Sequence, residues 1–154
     1  ITGKTGFIEQ MNTLNLSMPD HLTEALRTNL SGGKTVAGMI AEAAEKVPFM
    51  SLTEVEKRVN SHSADFILLD VREAQAFLEG HIPGAINIPR GQLELKVNEL
   101  LPNPMLRIVA YCEYGKISTL AAATLKELGF DRAVALDGGF NSWQGQDYPV
   151  TETD

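Results

Sequence analysis

The chain has 154 residues, of which 44% are hydrophobic and 21% charged, the proportions of one folded domain, and wholesale disorder is excluded. Its 13 Lys and Arg against 20 Asp and Glu leave a net charge of −7, which argues against nonspecific binding to nucleic acid or to an anionic membrane. Cys112 is the single cysteine, so no disulfide can close within these residues, and the predicted compartment is the reducing cytoplasm.

No run approaches the ~18 consecutive apolar residues of a membrane helix. Residues 1–6 lack the apolar core of a signal peptide. The chain starts at Ile1 and not at Met, which leaves a removed leader open. Residues 1–19 read as a polar arm. Pro19-Asp20 opens a predicted helix through Leu22, Leu26 and Leu30, broken at Ser31-Gly32-Gly33. Gly32-Gly33-Lys34-Thr35 ends like a phosphate-binding loop, but the first glycine of that motif is missing, since position 28 is Thr28. Val36, Met39, Ile40, Ala43, Ala44 and Val47 fall at helical spacing, so 34–47 is predicted as an amphipathic helix stopped by Pro48. The expected organisation is an N-terminal arm and helical extension over 1–48, then a domain over 49–154. Intramolecular packing is the simpler use of the extension, and dimerisation through residues 20–47 is the alternative.

From Ser51 onward strand and helix alternate. Ser51-Leu52-Thr53-Glu54 has the form of a capping box, opening a helix to about Asn60. Phe66–Leu69 reads as a buried strand, and Glu73–Leu78 as a short helix with Gly80 in a left-handed cap. Ala85–Ile88 is a second strand, and Gln92–Leu101 a helix stopped by Pro102 and Pro104. Arg107–Tyr111 is a third strand. Leu120, Ala121, Thr124, Leu125 and Leu128 mark one helix face, closed by Gly129. Ala133–Leu136 is a fourth strand and Phe140–Gln144 a last helix. Such alternation implies an α/β fold with a parallel sheet and helices on both faces, and ligands then lie beyond the carboxyl ends of the strands.

Cys112 stands at such an end. Residues 112–118, Cys-Glu-Tyr-Gly-Lys-Ile-Ser, join the third strand to the next helix. A loop of this length can turn successive N–H groups toward the sulfur, and the helix adds its positive end. Gly115 permits the tight turn. This cradle would stabilise a thiolate, an anion or the outer sulfur of a persulfide. From position alone, a buried cysteine acting as a small hydrophobe remains the competing reading.

Three separated motifs bear on that choice. Asp70-Val71-Arg72-Glu73 is followed by Phe77 and by Gly80-His81-Ile82-Pro83-Gly84-Ala85-Ile86-Asn87-Ile88-Pro89. Cys112-x-x-Gly115-x-x-Ser118 precedes Ala121, Ala122 and Leu125. Leu136-Asp137-Gly138-Gly139-Phe140-x-x-Trp143 closes the region. Together, from about Pro48 to Val150, they resemble a single-domain rhodanese. The resemblance implies a rhodanese-like α/β fold, with a central, mostly parallel sheet of about five strands. It implies a sulfurtransferase in which Cys112 takes a sulfane sulfur and becomes a persulfide. The backbone of Glu113, Tyr114, Gly115, Lys116, Ile117 and Ser118 would form the cradle. Asp70 and Arg72 would be framework beside the loop, read as an ion pair and strand-end cap. His81 would be an orienting hydrogen-bond partner, and Trp143 packing. No metal and no cofactor is implied. The partners would be a small sulfur-containing donor or a protein persulfide, and a thiol or cyanide acceptor.

The loop departs from the pattern of many active members, which carry a basic residue directly after the cysteine or an arginine before the final serine. Here those positions are Glu113 and Ile117, and Lys116 is the only cation of the loop. A carboxylate beside the sulfur should repel thiosulfate-like anions, so slow thiosulfate-to-cyanide transfer and a persulfide donor are expected. A phosphatase or arsenate reductase on the same scaffold would need a guanidinium for its oxyanion, and no Arg lies between Cys112 and Leu128. A rhodanese-like binding, regulatory or redox-sensing module stays open as the alternative. His21, His62 and His81 are scattered without metal-ligand spacing.

Overall fold

The computed structural model describes residues 35–152. The helix predicted from Pro19-Asp20 and most of the face assigned to a dimer lie outside the described residues. Helix α1 spans Val36–Lys46, and the Thr35 hydroxyl accepts from Gly38 N–H at 2.9 Å near its start. Ala43 and Val47 are buried, but Ala44 is exposed, so the apolar face near its C-terminus is narrower than the spacing predicts.

After Pro48 comes a strand that the sequence did not mark, β1, Phe49–Met50. Helix α2 follows over Leu52–Asn60, with the Ser51 hydroxyl accepting from Glu54 N–H at 3.1 Å. Only this half of the predicted capping box is seen, because the Glu54 carboxylate takes Arg58 Nε at 3.1 Å. Strand β2 is Phe66–Asp70 and helix α3 is Ala74–Glu79. Gly80 does not adopt the left-handed cap; its φ of 166° is extended. The chain runs straight on into a two-bond antiparallel bridge, His81 N–H to Thr151 O at 2.9 Å and Thr151 N–H to His81 O at 2.8 Å.

Strand β3 is Ile86–Asn87. The helix predicted over 92–101 begins as a 3₁₀ turn at Arg90–Gln92 and continues as α4, Leu93–Leu100. Strand β4 is Arg107–Tyr111 and α5 is Lys116–Glu127. Gly129 closes α5 at φ 101°. Strand β5 is Val134–Leu136 and α6 is Gly139–Gly145. The five strands form one sheet in the order β1-β5-β4-β2-β3. Every pairing is parallel; β2 and β4 share the longest register, from Phe66 opposite Arg107 to Asp70 opposite Tyr111.

Strand pleating sends alternate residues to opposite faces. One face joins Leu69, Ile108 and Cys112 to Leu93 and Val97 of α4 and Ala121, Ala122 and Leu125 of α5. The other joins Leu68, Val109 and Tyr111 to Val55 of α2 and Phe140 and Trp143 of α6. Tyr111 and Cys112, adjacent in sequence, therefore enter different cores. Tyr111 is fully buried, and its hydroxyl accepts from Ile82 N–H at 3.1 Å.

Burial, and then the Asp70 charge, push the Tyr111 phenol well above its ordinary 10.0. Above that value the unfolded chain loses this proton while the folded chain keeps it, so stability is full below about pH 10 and falls as pH rises. The slope from one such group is about 1.4 kcal/mol per pH unit. Urea midpoints between pH 9 and 11 should fall more steeply in the wild type than in Tyr111→Phe; equal slopes would contradict this account.

Candidate active site

Cys112 follows the last residue of β4 and is 4% exposed. Its Sγ receives Gly115 N–H at 3.1 Å and Ser118 N–H at 3.3 Å. Ser118 Oγ stands 3.4 Å from Sγ and also 3.2 Å from Gly115 O, to which it donates. Gly115 makes the turn possible with φ 101°, in the left-handed region that side chains other than glycine rarely adopt. Its carbonyl accepts Thr119 N–H at 3.3 Å and the Thr119 hydroxyl at 2.7 Å, which ties the loop to the first turn of α5.

Of the six residues predicted to form the cradle, two, Gly115 and Ser118, donate amides to the sulfur. The N–H groups of Lys116 and Ile117, in the first turn of α5, take no carbonyl partner among the described residues, as helix geometry requires of such positions. Tyr114 and Ile117 are 68% and 50% exposed.

The loop is held from a side that sequence reasoning did not assign to it. Phe140 N–H donates to Cys112 O at 2.8 Å, and Asn141 N–H donates to Glu113 O at 2.9 Å. Both donors open α6. The approach requires Gly139, at φ 70°, because a Cβ there would lie 2.7 Å from Glu113 O and 2.8 Å from Cys112 O. Paired glycines one residue after β5, the neighbour of β4, were the available signal.

Asp70 and Arg72 form the predicted ion pair. Asp70, fully buried at the end of β2, accepts Arg72 Nη2 at 2.7 Å, Arg72 Nε at 3.1 Å and Arg72 N–H at 2.9 Å. Arg72 Nη2 also donates to Gly80 O at 2.6 Å, and the guanidinium lies 4.2 Å over the Phe140 ring. Burial disfavours its charge, but hydrogen bonds and charge from Asp70 outweigh burial and hold it protonated more firmly than usual. Its remaining nitrogen, Nη1, donates to Glu113 Oε1 at 3.2 Å. The partner of Glu113 is thus Arg72 and not Lys116, which has no ion pair among the described residues.

His81 takes part elsewhere. Its Nδ1 meets Phe77 O at 2.8 Å, and its ring stacks on Phe77 at 3.8 Å. None of its hydrogen bonds reaches the cysteine loop. Trp143 is fully buried, with Nε1 donating to Pro149 O at 2.7 Å. Among the described residues, no group of three or more His, Cys, Asp or Glu could hold a metal ion, and no helix is long and apolar enough to cross a membrane.

Replacing Gly139 with Ala should cost about 2–3 kcal/mol, from the left-handed backbone and the clash with two carbonyls. An unchanged urea midpoint would sink the packing argument.

The sequence and the fold have counterparts. The chain is 35% identical over 106 residues to YrkF of Bacillus subtilis, described as a candidate sulfur carrier protein, covering 69% of this chain and 56% of YrkF. It is 36% identical over 77 residues to the thiosulfate sulfurtransferase GlpE of Shewanella oneidensis, covering 49% of this chain and 73% of GlpE. The chain thus spans little more than half of YrkF. The solved structure of RPA3614 from Rhodopseudomonas palustris, a protein of unknown function described as a possible tyrosine phosphatase, superposes with a TM-score of 0.69 at 26% identity, over 77% of this chain and 95% of that one. Residues 51–146 match the family model described as the rhodanese-like domain, and the chain belongs to that family.

Proposed function

We propose that the domain over residues 49–154 is a sulfurtransferase that carries a sulfane sulfur as a persulfide on Cys112. The observation that carries the reading is the pair of amides, Gly115 and Ser118, aimed at Sγ from 3.1 and 3.3 Å. Donors fixed in place stabilise negative charge on sulfur without reorganising during reaction. The names of YrkF and GlpE add support.

The transfer has two displacement steps. The Cys112 thiolate attacks the outer, sulfane sulfur of the donor. The new bond joins Sγ to that sulfur, the donor's own bond to it breaks, and the electron pair leaves with the remainder, as sulfite from thiosulfate or as a thiolate from a persulfide. An acceptor thiolate or cyanide then attacks the same sulfur. The Sγ–S bond breaks, and Cys112 is restored as a thiolate, with a persulfide or thiocyanate as product. Neither step requires an external oxidant or reductant.

The amides of Lys116 and Ile117, which take no carbonyl partner among the described residues, are the available donors for the outer sulfur. Because the chain has one cysteine, the sulfur leaves to an acceptor beyond these 154 residues. A phosphatase reading lacks the guanidinium that a phosphoryl group needs, since α5 and the loop before it contain no Arg.

Incubation with thiosulfate or with glutathione persulfide should add one sulfur atom to Cys112, read by mass spectrometry, and cyanide or a thiol should remove it. Cys112→Ser should lose this gain entirely while its melting temperature stays within a few degrees of wild type, because the replacement is nearly isosteric. Sulfur gain in that variant, or no gain in the folded wild type from either donor, would refute the mechanism; the second result favours a binding or redox-sensing module.

A further inference from the structure

We infer that Glu113 is a positioning residue, whose ion pair with Arg72 latches the cysteine loop in the geometry that serves the sulfur. The inference rests on the transferase reading above. Read from sequence, Glu113 is a negative charge beside the thiol that slows anionic donors. The structure gives its carboxylate another employment.

Arg72 is a rigid anchor. Its side chain is 9% exposed, three of its hydrogen bonds are spent on both oxygens of Asp70, one on Gly80 O, and its face is stacked on Phe140. Only Nη1 is left, and it points to Glu113 across 41 residues of sequence. An ordinary exposed pair is weakened by the freedom that both side chains surrender; here one partner is already immobile, and the planar guanidinium is pre-organised. Glu113 is also gripped through its main chain by Asn141 N–H, while Phe140 N–H grips Cys112 O. The contacts close a ring: Glu113 carboxylate to Arg72, Arg72 to the Phe140 ring, Phe140 N–H to Cys112 O. The cradle donors Gly115 and Ser118 lie immediately beyond that ring. A rotation of the loop at 113 shifts both donors relative to Sγ.

Two views of Glu113 predict opposite signs. As a repelling charge, its removal or reversal accelerates thiosulfate. As a latch, its removal slows every reaction of Cys112, and reversal is no better, because a second guanidinium would face Arg72. The test uses the full chain with Glu113→Ala, Glu113→Gln and Glu113→Arg, all well below their melting temperatures. One probe is thiosulfate loading by mass; the other is alkylation of Cys112 by neutral iodoacetamide. The latch predicts that Ala and Arg lose roughly tenfold or more on both probes, the scale of a sub-ångström to ångström misplacement. The loss should fall on the limiting loading rate and not on the half-saturating thiosulfate concentration. Gln, which keeps an oxygen for Arg72 Nη1, should restore most of the rate. Either of two results overturns the inference: Ala matching wild type on both probes, or Gln or Arg taking thiosulfate faster than wild type. Should the wild type accept no sulfur at all, the transferase reading falls, and the alkylation series still decides on the latch.

Discussion

Two amides at the start of α6 set the position of the cysteine. Phe140 N–H and Asn141 N–H hold Cys112 O and Glu113 O at 2.8 and 2.9 Å, and the chain can come so near only because Gly139 is left-handed and carries no Cβ. The end of β4 is thereby fixed against the end of β5. From that fixed point the loop has only Glu113 and Tyr114 in which to rise before Gly115 turns it into α5. The sulfur is met by amides because the strand end, the turn and the helix start are forced into one small volume.

A second constraint is the buried charge under the loop. A carboxylate and a guanidinium taken out of water cost several kcal/mol each unless their hydrogen-bonding capacity is satisfied. Asp70 meets that requirement with Arg72 side-chain and main-chain donors, and Arg72 completes its set with Gly80 O and Glu113. Asn87 Nδ2 pins the surrounding backbone by donating to Asp70 O at 2.9 Å and Arg72 O at 3.0 Å. One buried pair therefore joins the ends of β2 and β3, the C-terminus of α3 and the cysteine loop. Removing either partner would strand the other, which is why so much of the site's geometry depends on two residues that touch no sulfur.

The sheet was legible because its strands are continuous apolar runs. Arg107–Tyr111 needed no adjustment. The position of Gly115, three residues after the cysteine and just before the α5 pattern, made the turn readable too. Other features leave no local trace. Two residues after a proline show no period, so β1 could be seen only through its pairing with β5. Gly80 carries the residue type of a helix cap, yet it runs extended into His81, which pairs with Thr151 seventy positions on. Glu113 sits close in sequence to Lys116, the cation of its loop, and does not pair with it. Its true partner was decided by where β2 ends, and by the one guanidinium nitrogen that Asp70 and Gly80 leave over.

Burial of the thiol has a consequence for the transfer itself. With Cys112 only 4% exposed, the proposed attack would favour a slender sulfur terminus over a bulky disulfide. In the proposed intermediate, a bond of about 2.05 Å would set the transferable sulfur beyond Sγ, where the first-turn amides of Lys116 and Ile117 take no carbonyl partner among the described residues. On that reading the sulfur to be delivered would be more accessible than the sulfur that holds it, and an acceptor would not need to enter as deeply as the donor.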